Sequence, residues 1–178
     1  MSTTETSPHE EGRHAERMKM TASPKSFLDV PALHRELDEM FYEHQRALLD
    51  FNFRGALERL EVYESALLSH MRDEEELLLP LYAERAESAR GGAREFFILE
   101  HGKLRRHLAH FREQLPKLLT LPEPSRALLK LLDQETTYKH IVEHHDEREE
   151  KFLYPALERV TTEAERADLL RRLFRSQK

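Results

Sequence analysis

The chain has 178 residues, 39% of them hydrophobic, which suits one domain with a single packed core. Its five Gly, eight Pro and 35% charged residues are typical of long amphipathic helices and predict an all-α protein. The net charge of -6, with basic residues interspersed among acidic ones, argues against a nucleic-acid partner, and the lack of cysteine excludes disulfides, thiolate metal ligands, iron–sulfur clusters and cysteine nucleophiles.

The N-terminal segment differs in character from the rest of the chain. Residues 1–26 are polar and have no helical period, which predicts a flexible tail with His9 and His14 in solvent. Residues 27–178 are expected to form the folded domain. No apolar run approaches the ~20 residues that cross a bilayer, and no signal peptide is recognisable, so a cytoplasmic protein without a membrane partner is the expectation.

Four long helices are predicted from apolar residues that recur every three or four positions. The first begins near Pro31 and breaks near Asn52, the second stops before the glycine pair at 91–92, and a loop with two prolines at 121–125 separates the third from the fourth. A short last helix covers about residues 162–174. This order predicts an antiparallel up-and-down four-helix bundle with a short extra C-terminal helix.

Each of the four long helices carries a histidine where its neighbours one turn away are apolar. These histidines are His44, His70, His101 and His145. A lone histidine on an apolar face is ordinarily a buried imidazole bonded to a neighbour, but four of them facing one core predict a common polar site.

An internal repeat strengthens this interpretation. Residues 70–80 align without gaps on residues 145–155, and both read H-x3-E-E-x2-L-x-P. Residues four apart lie on one helix face, so each histidine and the glutamate four positions later can present nitrogen and oxygen to the same inward point. The two predicted chelating pairs are His70 with Glu74 and His145 with Glu149.

The glutamates that follow, Glu75 and Glu150, are rotated away from that face and are expected to be solvated or paired with Arg or Lys. Two buried carboxylates among four histidines are costly without a cation, which predicts a metal site. Imidazole and carboxylate suit iron, manganese or zinc. Six donors exceed the need of one tetrahedral ion, so a dinuclear site with three donors for each ion, room for a bridging oxygen and an exchangeable position is expected.

The repeated motif resembles that of hemerythrin-like domains, the family called hemerythrin HHE cation-binding, over roughly residues 31–158. The family's first-helix histidine corresponds best to His44, with His34 as the less favoured alternative, and its third-helix histidine corresponds to His101. The resemblance implies two iron ions with a bridging oxo or hydroxo group. It also implies that Glu74 and Glu149 bridge the irons and that the histidines cap them.

One position departs from the oxygen-carrying hemerythrins. They have H-x3-H on the third helix, whereas this chain has Arg105 four positions after His101. The seventh ligand of that pattern is missing, which leaves an iron open to water, peroxide or other small ligands. The remaining histidines lie off the ligand stripes and are expected at the surface or, for the last two, in an outer role: His107, His110, His140 and His144.

The resemblance and the ligand pattern together predict a non-haem diiron protein that binds or senses oxygen or a related small ligand such as peroxide or nitric oxide. A diiron enzyme with peroxidase, ferroxidase or nitric-oxide-handling activity is the alternative. A ferritin-like carboxylate oxidase expects E-x-x-H on two helices, and that spacing occurs here only at Glu11 to His14. A purely structural bundle is disfavoured by the repeat.

Overall fold

The computed structural model describes residues 25–87 and 89–174, and these are helical with no β-strand among them. The prediction of an all-α protein is therefore confirmed for the described part of the chain. The predicted tail falls almost wholly on residues 1–24, with His9 and His14, and so lies outside the described residues. Ser26, at its end, caps a short 3₁₀ turn over Phe27–Asp29.

Five continuous helical stretches account for most of the described residues, and two of them contain a five-residue π-helical segment. The elements are α1 (Pro31–Leu49), α2 (Phe53–Asp73), π1 (Glu74–Leu78), α3 (Leu79–Arg85), α4 (Arg94–Leu118), α5 (Ser125–Arg148), π2 (Glu149–Leu153), α6 (Tyr154–Val160) and α7 (Glu163–Leu173). The segment π1 joins α2 to α3, and π2 joins α5 to α6, without a break in the helix.

Local sequence explains where the helices begin. Pro31 occupies the first turn of α1, where its missing N–H is not needed. Asn52 caps α2 by accepting a hydrogen bond from the Gly55 N–H at 3.0 Å, which fixes the predicted break between the first two helices. Thr162 and Glu165 form a capping box at the start of α7.

Consecutive long helices run antiparallel. In α1 and α2, His44 lies against Ala56 while His34 lies against His70. The later α1 residue therefore meets the earlier α2 residue, as in an antiparallel pair. The same holds for α4 and α5, where His101 meets His145 and His110 meets Gln134. Since α1 also packs on α5, and α2 on α4, each of these four helices contacts two of the others.

Two apolar clusters lie on either side of a layer of buried polar side chains. The larger cluster is built mainly from α1, α2, α4 and α5. The smaller one includes Tyr154 and Leu79 and is covered by Leu170 and Leu173 of α7. The polar layer between them contains the histidines and glutamates of the two repeated motifs. Within the described residues, no helix is both long enough and apolar enough to span a membrane.

Candidate metal centre

Proline positions the glutamates of both repeated motifs. Pro80 and Pro155 lack an N–H and would clash with the carbonyl four residues earlier in a regular α-helix. The helix widens instead: the N–H of Leu79 donates to the Glu74 carbonyl, and the N–H of Tyr154 donates to that of Glu149, both five residues back. Each π segment therefore starts at the glutamate that the sequence assigns to the metal.

The polar layer brings four imidazole rings together in two pairs. His34 Nε2 lies 3.1 Å from His70 Nε2, and His101 Nε2 lies 3.1 Å from His145 Nε2. Within each pair the rings meet edge to face. None of these four side chains is more than 5% exposed. Four nitrogen atoms therefore converge inside the protein, away from solvent.

The two glutamates lie between the histidine pairs. Glu74 Oε1 is 3.3 Å from His70 Nε2 while its Oε2 is 3.4 Å from His101 Nε2. Glu149 likewise has Oε2 at 3.3 Å from His34 Nε2 and Oε1 at 3.1 Å from His145 Nε2. Each carboxylate therefore reaches both pairs, one oxygen to each. The donor atoms form two groups that share the glutamates, as a bridged dinuclear site requires.

The hydroxyl of Tyr154 enters the same cluster from the start of α6. It lies 2.9 Å from Glu74 Oε1, 2.8 Å from Glu149 Oε2 and 3.2 Å from His34 Nε2, and its side chain is fully buried. Sequence reasoning missed this residue. In an α-helix, a residue five positions after Glu149 would face away, but the π segment places residues five apart on one face.

Charged side chains contact the Nδ1 atoms of one histidine pair, on the side of each ring away from the cluster. His101 Nδ1 lies 2.8 Å from Glu75 Oε1, and Arg105 pairs with the same carboxylate. His145 Nδ1 lies 3.3 Å from Glu100, which Arg148 holds in turn. A carboxylate behind a histidine fixes the ring and directs the other nitrogen inward, as in many metal sites.

The other pair is held less firmly. His34 Nδ1 is 3.7 Å from Asp146, and His70 Nδ1 has no hydrogen-bonding partner among the described residues. The sequence predicted that Glu75 and Glu150 would be solvated or paired with a basic residue. Glu75 is indeed paired with Arg105 but also supports His101, whereas Glu150 is exposed.

The structure does not place His44 in this cluster. Its Nδ1 donates to the Ala56 carbonyl at 2.8 Å, and its Nε2 lies 3.0 Å from Glu135, a fully buried carboxylate near the middle of α5. His34, the alternative, lies in the cluster instead. The reason is the helix pairing: His70 is far from the α1–α2 turn, and the α1 residue at the same level must be equally far from it.

The remaining histidines lie away from the metal cluster. His140 and His144 are exposed at the surface of α5, each beside a glutamate of its own helix. His107 and His110 are half-buried on α4 and line an open cleft on the outside. Of the histidines that the sequence left open, His34 belongs to the cluster and His144 does not.

The pKa values of the ionisable groups in the layer are shifted in both directions. Burial opposes ionisation of Glu74, yet the surrounding imidazoles hold its pKa well below the usual range. Burial and the charge of Glu74 raise the pKa of Glu149. Burial lowers the pKa of His34 to about 4. Burial also opposes protonation of His145, but the carboxylates of Glu149 and Glu100 outweigh it and raise its pKa well above the usual value.

Two carboxylate oxygens in the layer have unused capacity. Glu74 Oε2 and Glu149 Oε1 are buried and accept no hydrogen bond from the described residues. Buried polar atoms are ordinarily satisfied, so such orphans are expected where another group binds. Both atoms face the His101–His145 pair. A cation between that pair and these oxygens would satisfy all four atoms.

A small cavity adjoins the cluster. Its volume is about 10 Å³, which is room for about one water-sized molecule. Its lining combines His34, His70 and His145 with apolar side chains such as Leu37 and Leu104 and with the carboxylates of Asp38 and Asp146. The cavity therefore gives a small ligand room beside the cluster.

Comparison with models of known families, with curated proteins and with solved structures gave no match to this chain.

Proposed function

We propose that this chain is a hemerythrin-like, non-haem diiron protein that binds or senses oxygen or a related small ligand, such as peroxide or nitric oxide. Its four longer helical stretches would then form the antiparallel bundle typical of that family. The observation that carries the proposal is the convergence of four buried imidazole Nε2 atoms, in two pairs at 3.1 Å, on two shared carboxylates.

The spacing of the two nitrogen pairs suits an octahedral ion. Bonds of about 2.1 Å place neighbouring donors about 3.0 Å apart around an octahedral ion and about 3.4 Å apart around a tetrahedral one. Both nitrogen pairs, at 3.1 Å, are nearer the octahedral value. One nitrogen–oxygen distance, 3.1 Å, also fits the octahedral value, whereas the other three, 3.3 to 3.4 Å, are nearer the tetrahedral one and would have to shorten around an octahedral ion.

Histidine tautomers favour a cation at the better supported pair. When Nδ1 of His101 donates to Glu75, and Nδ1 of His145 donates to Glu100, each neutral ring presents an unprotonated Nε2. Two lone pairs that face each other at 3.1 Å repel unless a proton or a metal ion lies between them. In the metal-free protein the proton on His145 serves this purpose, and a metal ion can replace it.

The donor arrangement favours two ions, and the chemistry of the donors with the motif resemblance favours iron. The two donor groups share Glu74 and Glu149 but use separate histidine pairs, which favours two ions over one. Imidazole with carboxylate and no thiolate is compatible with iron, manganese or zinc, and the resemblance of the repeated motif to the hemerythrin-like family selects iron.

A diiron centre, when bound, supplies a redox-active Lewis acid for small oxygen or nitrogen ligands. The chain's own residues supply the rest. Glu75 and Glu100 fix the rings of His101 and His145. The small cavity beside the cluster is lined by apolar side chains and by the carboxylates of Asp38 and Asp146. The size of that cavity favours a ligand of a few atoms over a larger organic substrate.

The proposal is tested by loading the protein anaerobically with ferrous iron, measuring iron per chain, and then adding oxygen, nitric oxide or peroxide while recording the visible spectrum. Two irons per chain and a spectral change that reverses when oxygen is removed would support ligand binding. The matched variants are Glu149→Ala and Glu150→Ala, adjacent glutamates of which the first is buried in the cluster and the second exposed.

Peroxide turnover that disappears in Glu149→Ala and persists in Glu150→Ala would instead favour the enzyme alternative. One zinc per chain, or a folded protein that takes up no iron, would contradict the proposal. Equal iron content in wild type and Glu149→Ala would contradict the assigned site.

A further inference from the structure

The two halves of the cluster differ by one residue. In the aligned repeats, Tyr154 of the second motif corresponds to Leu79 of the first. Both side chains are fully buried and both follow a π segment. Leu79 packs in the smaller apolar cluster, whereas the hydroxyl of Tyr154 points into the polar layer. The pseudo-symmetric site is therefore chemically asymmetric.

The Tyr154 hydroxyl is associated with one histidine pair. Its contacts are with His34 Nε2 at 3.2 Å and with one oxygen of each glutamate, Glu74 Oε1 at 2.9 Å and Glu149 Oε2 at 2.8 Å. The same two oxygens are the ones nearest His70 and His34. All three distances match the roughly 3.0 Å expected between neighbouring donors of an octahedral ion.

A phenol that only packed in the core would not need this position. Its single proton can be donated to one of the two carboxylate oxygens at a time, although both lie within 2.9 Å. The other buried tyrosine hydroxyls have their own partners: Tyr63 and Tyr138 bond to each other at 2.7 Å, and Tyr82 donates to the Gly92 carbonyl. Tyr154 is thus the tyrosine whose oxygen faces metal-binding groups.

We propose that Tyr154 is a phenolate ligand of the ion held by His34 and His70. This inference rests on the proposed function. The ion at that end then has five protein donors, and the ion between His101 and His145 has four. As the metal–oxygen bond forms, the O–H bond breaks and its proton passes to solvent, with no change in the oxidation state of either partner.

The unequal number of protein donors determines which ion has a position left for a small ligand. At the His101 end, Arg105 is engaged with Glu75 and supplies no donor to the cluster. The exchangeable position therefore belongs to the ion between His101 and His145. The small cavity is lined by His145 and also by His34 and His70, so it adjoins both donor groups.

The test uses the intact ferric-loaded protein and compares wild type with Tyr154→Phe and the control Tyr138→Phe. Tyr138 is equally buried, and its hydroxyl bonds to a tyrosine outside the donor groups. We expect a visible phenolate-to-iron charge-transfer band in wild type and in Tyr138→Phe, and its loss in Tyr154→Phe at an iron content above one per chain. Resonance Raman spectra excited in the band should contain tyrosinate vibrations that shift when ring-deuterated tyrosine is incorporated.

Two irons per chain without such a band or vibrations in wild type would overturn this inference and leave the diiron proposal standing. A band that persists in Tyr154→Phe would also overturn it. Failure of wild type to bind iron would overturn both. If Tyr154→Phe does not fold, each of the other four of the chain's five tyrosines is replaced by phenylalanine in turn. A charge-transfer band that persists in all four variants supports Tyr154 as the ligand. Loss of the band in any one of them contradicts it.

Discussion

His44→Ala is expected to reduce stability more than metal content, and His34→Ala is expected to reduce metal content more than stability. His44 and Glu135 are both fully buried, with His44 Nε2 3.0 Å from Glu135 Oε1. Removing the imidazole leaves the carboxylate with the Gln45 amide as its donor at 3.0 Å. A buried carboxylate would then lack its main partner, although the metal cluster is untouched.

The size of the effect follows from this burial. Breaking a buried pair by removing one partner costs about 3–5 kcal/mol. For a domain of this length, about 1 kcal/mol lowers Tm by about 2–4 °C. His44→Ala should therefore lower Tm of the metal-free protein by roughly 6–20 °C and retain two irons per chain. His34→Ala removes one of the two nitrogen donors at its end, so iron content should fall toward one per chain.

Both variants are assayed by thermal unfolding of the metal-free protein, followed by iron analysis after anaerobic loading at a temperature where each is folded. The Tm loss of His34→Ala should be the smaller, because its imidazole is neutral at pH 7 and leaves no charge without a partner when removed. A His44→Ala protein that loses iron, together with a His34→Ala protein that keeps two irons, would refute the placement of the first-helix ligand.

Three further outcomes are expected. The affinity for the ion between His101 and His145 should rise about tenfold per pH unit between pH 6 and 8. Burial opposes protonation of His145, but the carboxylates of Glu149 and Glu100 outweigh it and hold a proton there, which this ion must displace; a flat profile in a metal titration would contradict this. Glu75→Gln should weaken iron binding by about 10–100-fold, since it removes the carboxylate behind His101, while the exposed Glu150→Gln should not, as measured by competition with a chelator. Asp146→Asn should stabilise the metal-free protein by about 1–3 kcal/mol at pH 9 and by less at pH 5. Burial, followed by the charge of Glu149, raises the Asp146 pKa to about 8, so its contribution to folding is fully favourable below the unfolded value near 3.8 and is lost as pH rises through 8. Urea unfolding at both pH values measures this, and an equal gain in the free energy of unfolding at pH 5 and pH 9 would contradict the explanation.

Local patterns in the sequence predicted the parts of the site that lie within one helix. His70 with Glu74, and His145 with Glu149, are four residues apart, and the helical period alone places each pair on one face. The structure brings both pairs into the same layer. The helix boundaries near Asn52 and in the proline-containing loop were likewise encoded by capping and turn residues.

The first-helix histidine depends on how two helices pair, which an apolar stripe does not encode. His44 fits the stripe of α1 better than His34 does, yet it lies ten residues, or nearly three helical turns, nearer the α1–α2 turn. Counting residues from that turn would have identified His34, because His70 lies about as far beyond the turn as His34 lies before it. The same count places His101 opposite His145.

Tyr154 was missed for a different reason. The α-helical period does not hold through residues 149–154, because the helix is π-helical there and its faces shift by one residue. The proline that follows Tyr154 is the available signal, since a proline inside a continuous helix demands such a local change. The aligned Pro80 has the same effect, but Leu79 offers no oxygen.

The most direct test of the central claim is an anomalous difference map at the iron edge from crystals of the iron-loaded protein. The account predicts two peaks about 3.5–4 Å apart, one against His34 and His70 and the other against His101 and His145, with Glu74 and Glu149 between them. A single peak, or peaks at the exposed histidines with none in the polar layer, would contradict it.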